Sequence, residues 1–342
     1  MSSIEQAGEF NLIHQLTSIG SPNVEPPIIA GIGDDAAVYR TNRDRVQVVT
    51  TDALIEGYHF DFAFYSMEDA GYKAMAVNLS DIAAMNARPV LATIALGVPG
   101  SVSMENLEAL YRGLAAGASA HGVQIAGGDT TRAPVLMLTI TIIGEAKASE
   151  IVYRNGARPG DKICVSGTLG DAAAGLDVLR HGIKPEAVGS TAWDILVARH
   201  LRPTPRLDLV KEWASQGIRP SALIDISDGL ANELHHICAA SGCGATIWES
   251  RLPLSKALRA ASVLERRSVD YALNGGDDYE LLYTASAQDL QKANPASFNT
   301  IGVITEKDVL LHRTDDSVEP LVPAGHDHFS VIQSTTPPRR VP

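Results

Sequence analysis

The stretch Gly31-Ile32-Gly33-Asp34-Asp35-Ala36-Ala37-Val38-Tyr39-Arg40 decides between two folds. Its Gly31-x-Gly33-x-x-Ala36 spacing fits the loose dinucleotide fingerprint GxGxxG/A. That fingerprint should follow a strand and open a helix whose N-terminus receives the pyrophosphate. Here Ala36–Arg40 continues as a strand into the Asn42-Arg43-Asp44 turn, and a second strand, Val46–Thr51, comes after it. Asp34 and Asp35 would also face the pyrophosphate with no metal between. The stretch argues against a nicotinamide-dinucleotide fold, and its paired carboxylates need another explanation.

On the N-terminal side, Ile4–Ile19 reads as an amphipathic helix, with Phe10, Leu12, Ile13, Leu16 and Ile19 near one stripe. On the C-terminal side, an alanine-rich helix is expected at Glu68–Met85, a strand at Pro89–Val98, a helix at Met104–His121 and a strand at Val135–Gly144. The strands are mostly apolar on both faces and alternate with helices. This predicts an α/β (α+β layered) architecture. Ala146–Glu150 and Gly156–Gly160 are small, polar and turn-rich, which places a domain boundary near residue 148. A second run of strands and helices follows from Lys162. The expected units are 1–148 and 149–333, with a proline-rich, disordered tail at 334–342.

The chain has 342 residues, which favours two domains and a core large enough to need no disulfide. Its net charge of −12 makes nucleic acid and anionic membrane surfaces poor partners. Three cysteines, Cys164, Cys238 and Cys243, form neither a disulfide framework nor a zinc set and suit a cytoplasmic protein. Cys238 and Cys243 are expected to be buried structural thiols. There is no GxxxxGK[ST], no HExxH and no GxSxG.

Acidic residues recur where apolar segments meet small-residue turns. They stand in Asp34-Asp35, Thr50-Thr51-Asp52, Asn78-Leu79-Ser80-Asp81, Gly127-Gly128-Asp129-Thr130-Thr131, Asp225-Ile226-Ser227-Asp228-Gly229 and Gly275-Gly276-Asp277-Asp278-Tyr279-Glu280. Any one of these reads first as a turn. Six of them, each with a second Asp or a hydroxyl beside the Asp, point to a converging set. Two carboxylates about 4 Å apart repel by roughly 4 kcal/mol at an effective dielectric of 20, so such a set needs cations. Oxygen-only donors suit Mg²⁺ or Mn²⁺, and magnesium binds mainly where substrate phosphates complete its shell. The predicted ligand is therefore a nucleotide or another polyphosphate with several Mg²⁺ ions. His59, in a loop just after Asp52, is expected to face a ligand, and Arg154, at the domain boundary, to contact a phosphate.

Taken together, GEF, GIGDDAAV, TTD, HF, KAMAVNLSDIAAM, GGDTT, RPGD, SGTLGD, DISDGL, GGDDYEL and GxDHF closely resemble the thiamine-monophosphate kinase family of the AIR synthetase-like (PurM-like) ATP-binding superfamily. The match runs from Gly8 to Phe329. The resemblance implies ATP-dependent phosphorylation of thiamine monophosphate, a two-domain PurM-like fold, several Mg²⁺ ions and a homodimer whose N-terminal strands meet. It implies metal contacts at Asp35, Asp52, Asp81, Asp129, Asp225 and Asp228, with Asp34, Thr50 and Thr51 beside them. It implies ATP contacts at Gly128, Asp129, Arg154 and Ser227, a substrate-facing role for His59 and Asp277, and catalytic weight on Asp35, Asp129 and Asp228.

This chain departs from the family pattern twice. Asn86 stands where Gly is usual, and Asn tolerates left-handed backbone. Pro323 stands where an aromatic usually packs on the thiamine, which leaves Tyr58, Phe60 and Phe329 as replacement faces. Two alternatives stay open: another PurM-like enzyme acting on a different small phosphate substrate, and a nucleotide-binding regulatory module without turnover. The absence of cysteine before Cys164 argues against a selenophosphate-synthetase-like enzyme.

Overall fold

The computed structural model describes residues 25–324 together with Leu12, Ile13 and Leu16. Most of the expected N-terminal helix, the Gly325–Phe329 segment and the tail lie outside the described residues.

Two sheets organise the chain. The first contains β1 (Ile28–Ala30), β2 (Ala37–Arg40), β3 (Arg45–Ile55), β4 (Arg88–Val98), β5 (Gln124–Arg132) and β6 (Met137–Lys147), in the order β1-β2-β3-β6-β4-β5. Only its β4–β5 pair is parallel. Helices α1 (Met67–Ala84) and α2 (Met104–Ala120) belong to this half. The second half carries β7 (Lys162–Val165), α3 (Asp171–Arg180), α4 (Pro185–Val188), α5 (Ser190–Leu201), α6 (Leu207–Gln216), β8 (Ala222–Asp225), α7 (Leu230–Ser241) and β9 (Gly244–Trp248). It ends with α8 (Lys256–Ala260), α9 (Ser268–Asn274), β10 (Leu281–Ala285), α10 (Ala287–Leu290), β11 (Asn299–Thr305), β12 (Val309–His312) and β13 (Val318–Pro320). Its sheet order is β13-β12-β9-β11-β7-β10-β8. The layered α/β class is as expected from sequence.

α1 decides where the site forms. Ser66 caps it, its hydroxyl accepting from the Asp69 amide. Nearly every side chain of the helix beyond its first turn is buried, so the helix must be covered all round and its polar side chains must find partners. α2 crosses it at glycines. A Cβ on Gly71 would lie 2.1 Å from the Leu110 carbonyl oxygen, and one on Gly113 would lie 1.9 Å from that of Glu68. The core under α1 runs on into Trp213, Leu223 and Tyr283 of the second half. After α1 the chain turns through Asn86 at φ 53°, and the Asn86 side-chain amide donates to the Glu150 carbonyl at 2.8 Å. The left-handed turn thus keeps its geometry with Asn in place of Gly.

The sheets correct several boundaries. Thr50-Thr51-Asp52 does not end a strand but sits in the middle of β3. Gly127–Thr131 is not a turn but lies within β5, the edge strand beside β4. Gly128 is required there by close approach, since a Cβ would lie 1.8 Å from the Ile94 carbonyl oxygen.

Candidate active site

Strand alternation sorts the β3 motif first. Thr50 and Asp52 point toward α1, and Thr51 points to the other face. The Thr50 hydroxyl donates to Asp81 Oδ2 at 2.5 Å. The Asp52 amide donates to the Asn78 side chain at 3.0 Å, which ties β3 to α1. Thr51 instead accepts from the Thr141 hydroxyl at 3.1 Å on the open face.

α1 then brings Asp81 to the second half. Ser80 Oγ donates to Asp225 Oδ2 at 2.6 Å, where β8 ends. Asp35, Asp81 and Asp225 each offer a carboxylate oxygen within 4.8 Å of the others. Arg154 reaches the same point and donates to Asp35 Oδ1 at 2.6 Å, while its amide donates to Asp34 at 3.3 Å. Asp35 Oδ2 is buried without a hydrogen-bond partner.

The electrostatics show strain. Burial, then Asp35 beside it, pushes the Asp34 carboxyl up to about 6. Burial and then Asp35 push Asp225 up to about 7. Burial, with Asp52 and Asp225 adding repulsion, raises Asp81 far above the ordinary carboxylate range. Burial also raises Asp35, against the pull of Arg154. An orphaned oxygen in an all-oxygen, mutually repelling cluster fits a hard divalent cation such as Mg²⁺.

Some residues that the sequence singled out, and others it did not, stand close to this trio. Asp52 is close enough to raise both Asp81 and Asp225. The Asp228 amide donates to Glu233 Oε1 at 3.1 Å, and Ser227 Oγ donates to the same atom at 3.4 Å. Burial, then Asp228 and Asp225, lifts Glu233 well above its usual range. His59 Nδ1 accepts from the Ile55 amide at 3.1 Å, which puts the ring proton of a neutral imidazole on Nε2. Asp277 forms a buried-side ion pair with Lys73 at 2.8 Å. Pro323 is exposed near the end of the described residues.

Asp129 is not part of the cluster within one chain. The register runs Ala53–Thr139–Ala95–Asp129 across β3, β6, β4 and β5, so Asp129 lies on the open face opposite Thr50 and Asp52. Three strand spacings separate β5 from β3, about 14 Å. Gly128 lies in the same edge strand.

Glu233, Lys73 and Ser80 were missed as site residues. Lys73 did leave a signal, as a lysine inside an otherwise small and apolar helix, where a buried charge demands a partner.

Family models for AIR synthase related proteins match residues 33–146 (N-terminal domain) and 158–310 (C-terminal domain). The thiamine-monophosphate kinase of Bacillus subtilis (strain 168) is 36% identical over 94% of this chain and 99% of its own length. That of Escherichia coli (strain K12) is 38% identical over 94% of this chain and 98% of its own. The structure of AaThiL complexed with AMPPCP and TMP superposes with a TM-score of 0.83 at 32% identity, covering 96% of this chain and 99% of that one. The carboxylate cluster lies in the part of the chain that these matches span, and the chain belongs to the thiamine-monophosphate kinase family of AIR synthase related proteins.

Proposed function

We propose that the protein transfers the γ-phosphoryl group of ATP to the phosphate of thiamine monophosphate, giving thiamine diphosphate and ADP. The observation that carries this reading is the convergence of Asp35, Asp81 and Asp225 in a chain of this family. The acceptor is a phosphate monoester with a second pKa near about 6, so at pH 7 it is largely dianionic and needs no general base. The obstacle is repulsion between two anions. Asp35, Asp81 and Asp225 would hold Mg²⁺, with Asp34, Asp52 and Asp228 beside them, and bound magnesium supplies the charge that offsets this repulsion. Thr50 and Ser80 orient the Asp81 and Asp225 carboxylates by hydrogen bonds and Asn78 holds the Asp52 backbone, which leaves positioning and electrostatics as the catalytic terms.

The acceptor end is assigned to His59 and Asp277. Of the aromatic faces considered for thiamine, Phe60 is only 3% exposed and packs on Phe62, whereas Tyr58 is 79% exposed beside His59. Tyr58 is the face we assign to the thiamine, in place of an aromatic at Pro323. The test is a panel of phosphate monoesters with ATP and Mg²⁺, scored for ADP. Thiamine monophosphate should give the largest kcat/KM. Turnover with another ester but not with thiamine monophosphate would overturn the substrate and leave the nucleotide site.

The units 1–148 and 149–333 are proposed as the two domains, since the strands of the first sheet end at Lys147 and those of the second begin at Lys162. A cytoplasmic location suits the three free cysteines, and no helix among the described residues is long and apolar enough to cross a membrane.

A homodimer through the open face of the first sheet is also proposed. That face carries half-buried Val49, Ile143 and Met137 with Thr51 and Thr141, and a two-fold partner covering it would bring Asp129 and Gly128 to the other subunit's phosphates. Asp129→Asn and Asp225→Asn proteins are then each expected to be inactive alone. Random mixing with subunit exchange should recover about a quarter of wild-type activity, because half the dimers regain one intact site of two. Mixtures as inactive as their parents would show that Asp129 serves its own chain.

A further inference from the structure

The motif Lys73-Ala-Met-Ala-Val-Asn78-Leu-Ser80-Asp81 contains a cation that phosphoryl transfer does not use. Lys73 lies about two turns before Asp81 on α1 and is 2% exposed. Its ammonium donates to Asp277 Oδ2 at 2.8 Å and to the Tyr65 hydroxyl at 3.0 Å. The Tyr65 hydroxyl in turn meets His200 Nε2 at 2.9 Å.

Asp277 and Tyr279 both adopt left-handed backbone, at φ 66° and 50°. Two non-glycine residues persist there only where their surroundings impose it. The imposition comes from two sides. The Asp277 amide donates to the Ser227 carbonyl at 2.8 Å, and the Tyr279 amide to that of Ile226 at 2.8 Å. These bonds fasten the loop to the turn between Asp225 and Asp228. Lys73 fastens the same loop to the helix carrying Ser80 and Asp81. Desolvating an ammonium and a carboxylate offsets most of their attraction, so the pair contributes geometry more than stability.

We propose that Lys73 is a positioning residue for the cation site: through Asp277 it fixes α1 against the Asp225–Asp228 turn and so sets the spacing of Asp81 and Asp225. The inference rests on the magnesium reading above. The sign of one measurement separates position from charge. By charge alone, removing a cation near a cation site tightens divalent binding. By position, removing it loosens binding, by about 10-fold or more, as for other groups that orient metal ligands.

The experiment is Mn²⁺ binding to the full chain without nucleotide or acceptor, followed by the electron paramagnetic resonance of free Mn²⁺. Lys73→Met should weaken binding about tenfold or more. Lys73→Met/Asp277→Asn removes the pair without leaving an unmatched charge, so it should melt nearer to wild type yet still bind Mn²⁺ weakly. The double variant keeps the test open if Lys73→Met alone does not fold. Affinity unchanged or tighter in either folded variant would overturn the proposal while leaving the magnesium site in place. Wild-type protein that binds no Mn²⁺ would remove both.

Discussion

Asp225→Asn is expected to lower turnover by at least about 100-fold while making the cation-free protein more resistant to heat. The first effect follows from position. Asp225 meets Asp35 and Asp81 within 4.8 Å, and even groups that only orient metal ligands cost about 10–100-fold when lost. The second follows from linkage. Burial, followed by the Asp35 charge, pushes the Asp225 carboxyl up to about 7, against about 3.9 in an unfolded chain. Between those values the folded protein binds more protons than the unfolded one, so stability falls as pH rises. Each unit of such a difference is worth about 1.4 kcal/mol. Metal-free wild type should therefore melt at lower temperature at pH 8 than at pH 5, and Mg²⁺ should restore it at pH 8. The variant carries no charge at this position, so its melting temperature should depend less on pH and on Mg²⁺. Equal pH slopes in the two proteins, or turnover within a few-fold of wild type, would remove Asp225 from the cation site.

The largest effect on folding is expected from Gly113→Ala. The added Cβ would lie 1.9 Å from the Glu68 carbonyl oxygen, and backbone cannot rotate aside as a side chain can. α1 and α2 must move apart, at a cost near the upper end for overpacking, about 3 kcal/mol. A second consequence distinguishes this site from an ordinary core position. α1 carries Lys73, Asn78, Ser80 and Asp81 on one rigid element, so a shift at the crossing is transmitted to the cluster. Urea unfolding should show a lowered midpoint, and the folded fraction should need more Mg²⁺ for half-maximal activity. Gly122→Ala is the comparison, since a Cβ there meets nothing within 4 Å. It carries only the strain of its φ of 71° and leaves the Mg²⁺ requirement unchanged. A midpoint for Gly113→Ala equal to that of wild type would mean that the crossing has room for a methyl group.

The legible parts of the fold are those where pattern and propensity agree. α1 was visible because its apolar, alanine-rich run has helical length. β4 and β6 were visible because they are long and apolar. β5 was not, because Gly-Gly-Asp-Thr-Thr reads locally as a turn. Pairing with β4, and the lack of room for a Cβ at Gly128, override that local preference. The same composition rule ended the expected strand at Thr51, whereas pairing with β6 carries it on to Ile55.

For the site, residue type was legible and convergence was not. Oxygen donors beside small residues announced cation and phosphate chemistry. That Asp35, Asp81 and Asp225 meet, and that Asp129 lies across the sheet, depends on strand order and alternation. The Lys73–Asp277 pair joins residues 204 positions apart, a separation for which no local pattern exists.

The edge strand has a bearing on solubility. β5 closes one side of the first sheet with a row of backbone donors and acceptors that has no neighbouring strand among the described residues. Such an edge invites stacking with foreign strands, and natural sheets discourage this with charge and with residues of low strand preference. Gly127, Gly128, Asp129 and Arg132 have that character. The composition that disguised the strand from sequence reading is the same composition that keeps it from recruiting another chain. The residues proposed above for phosphate contact would thus also serve as guards against aggregation.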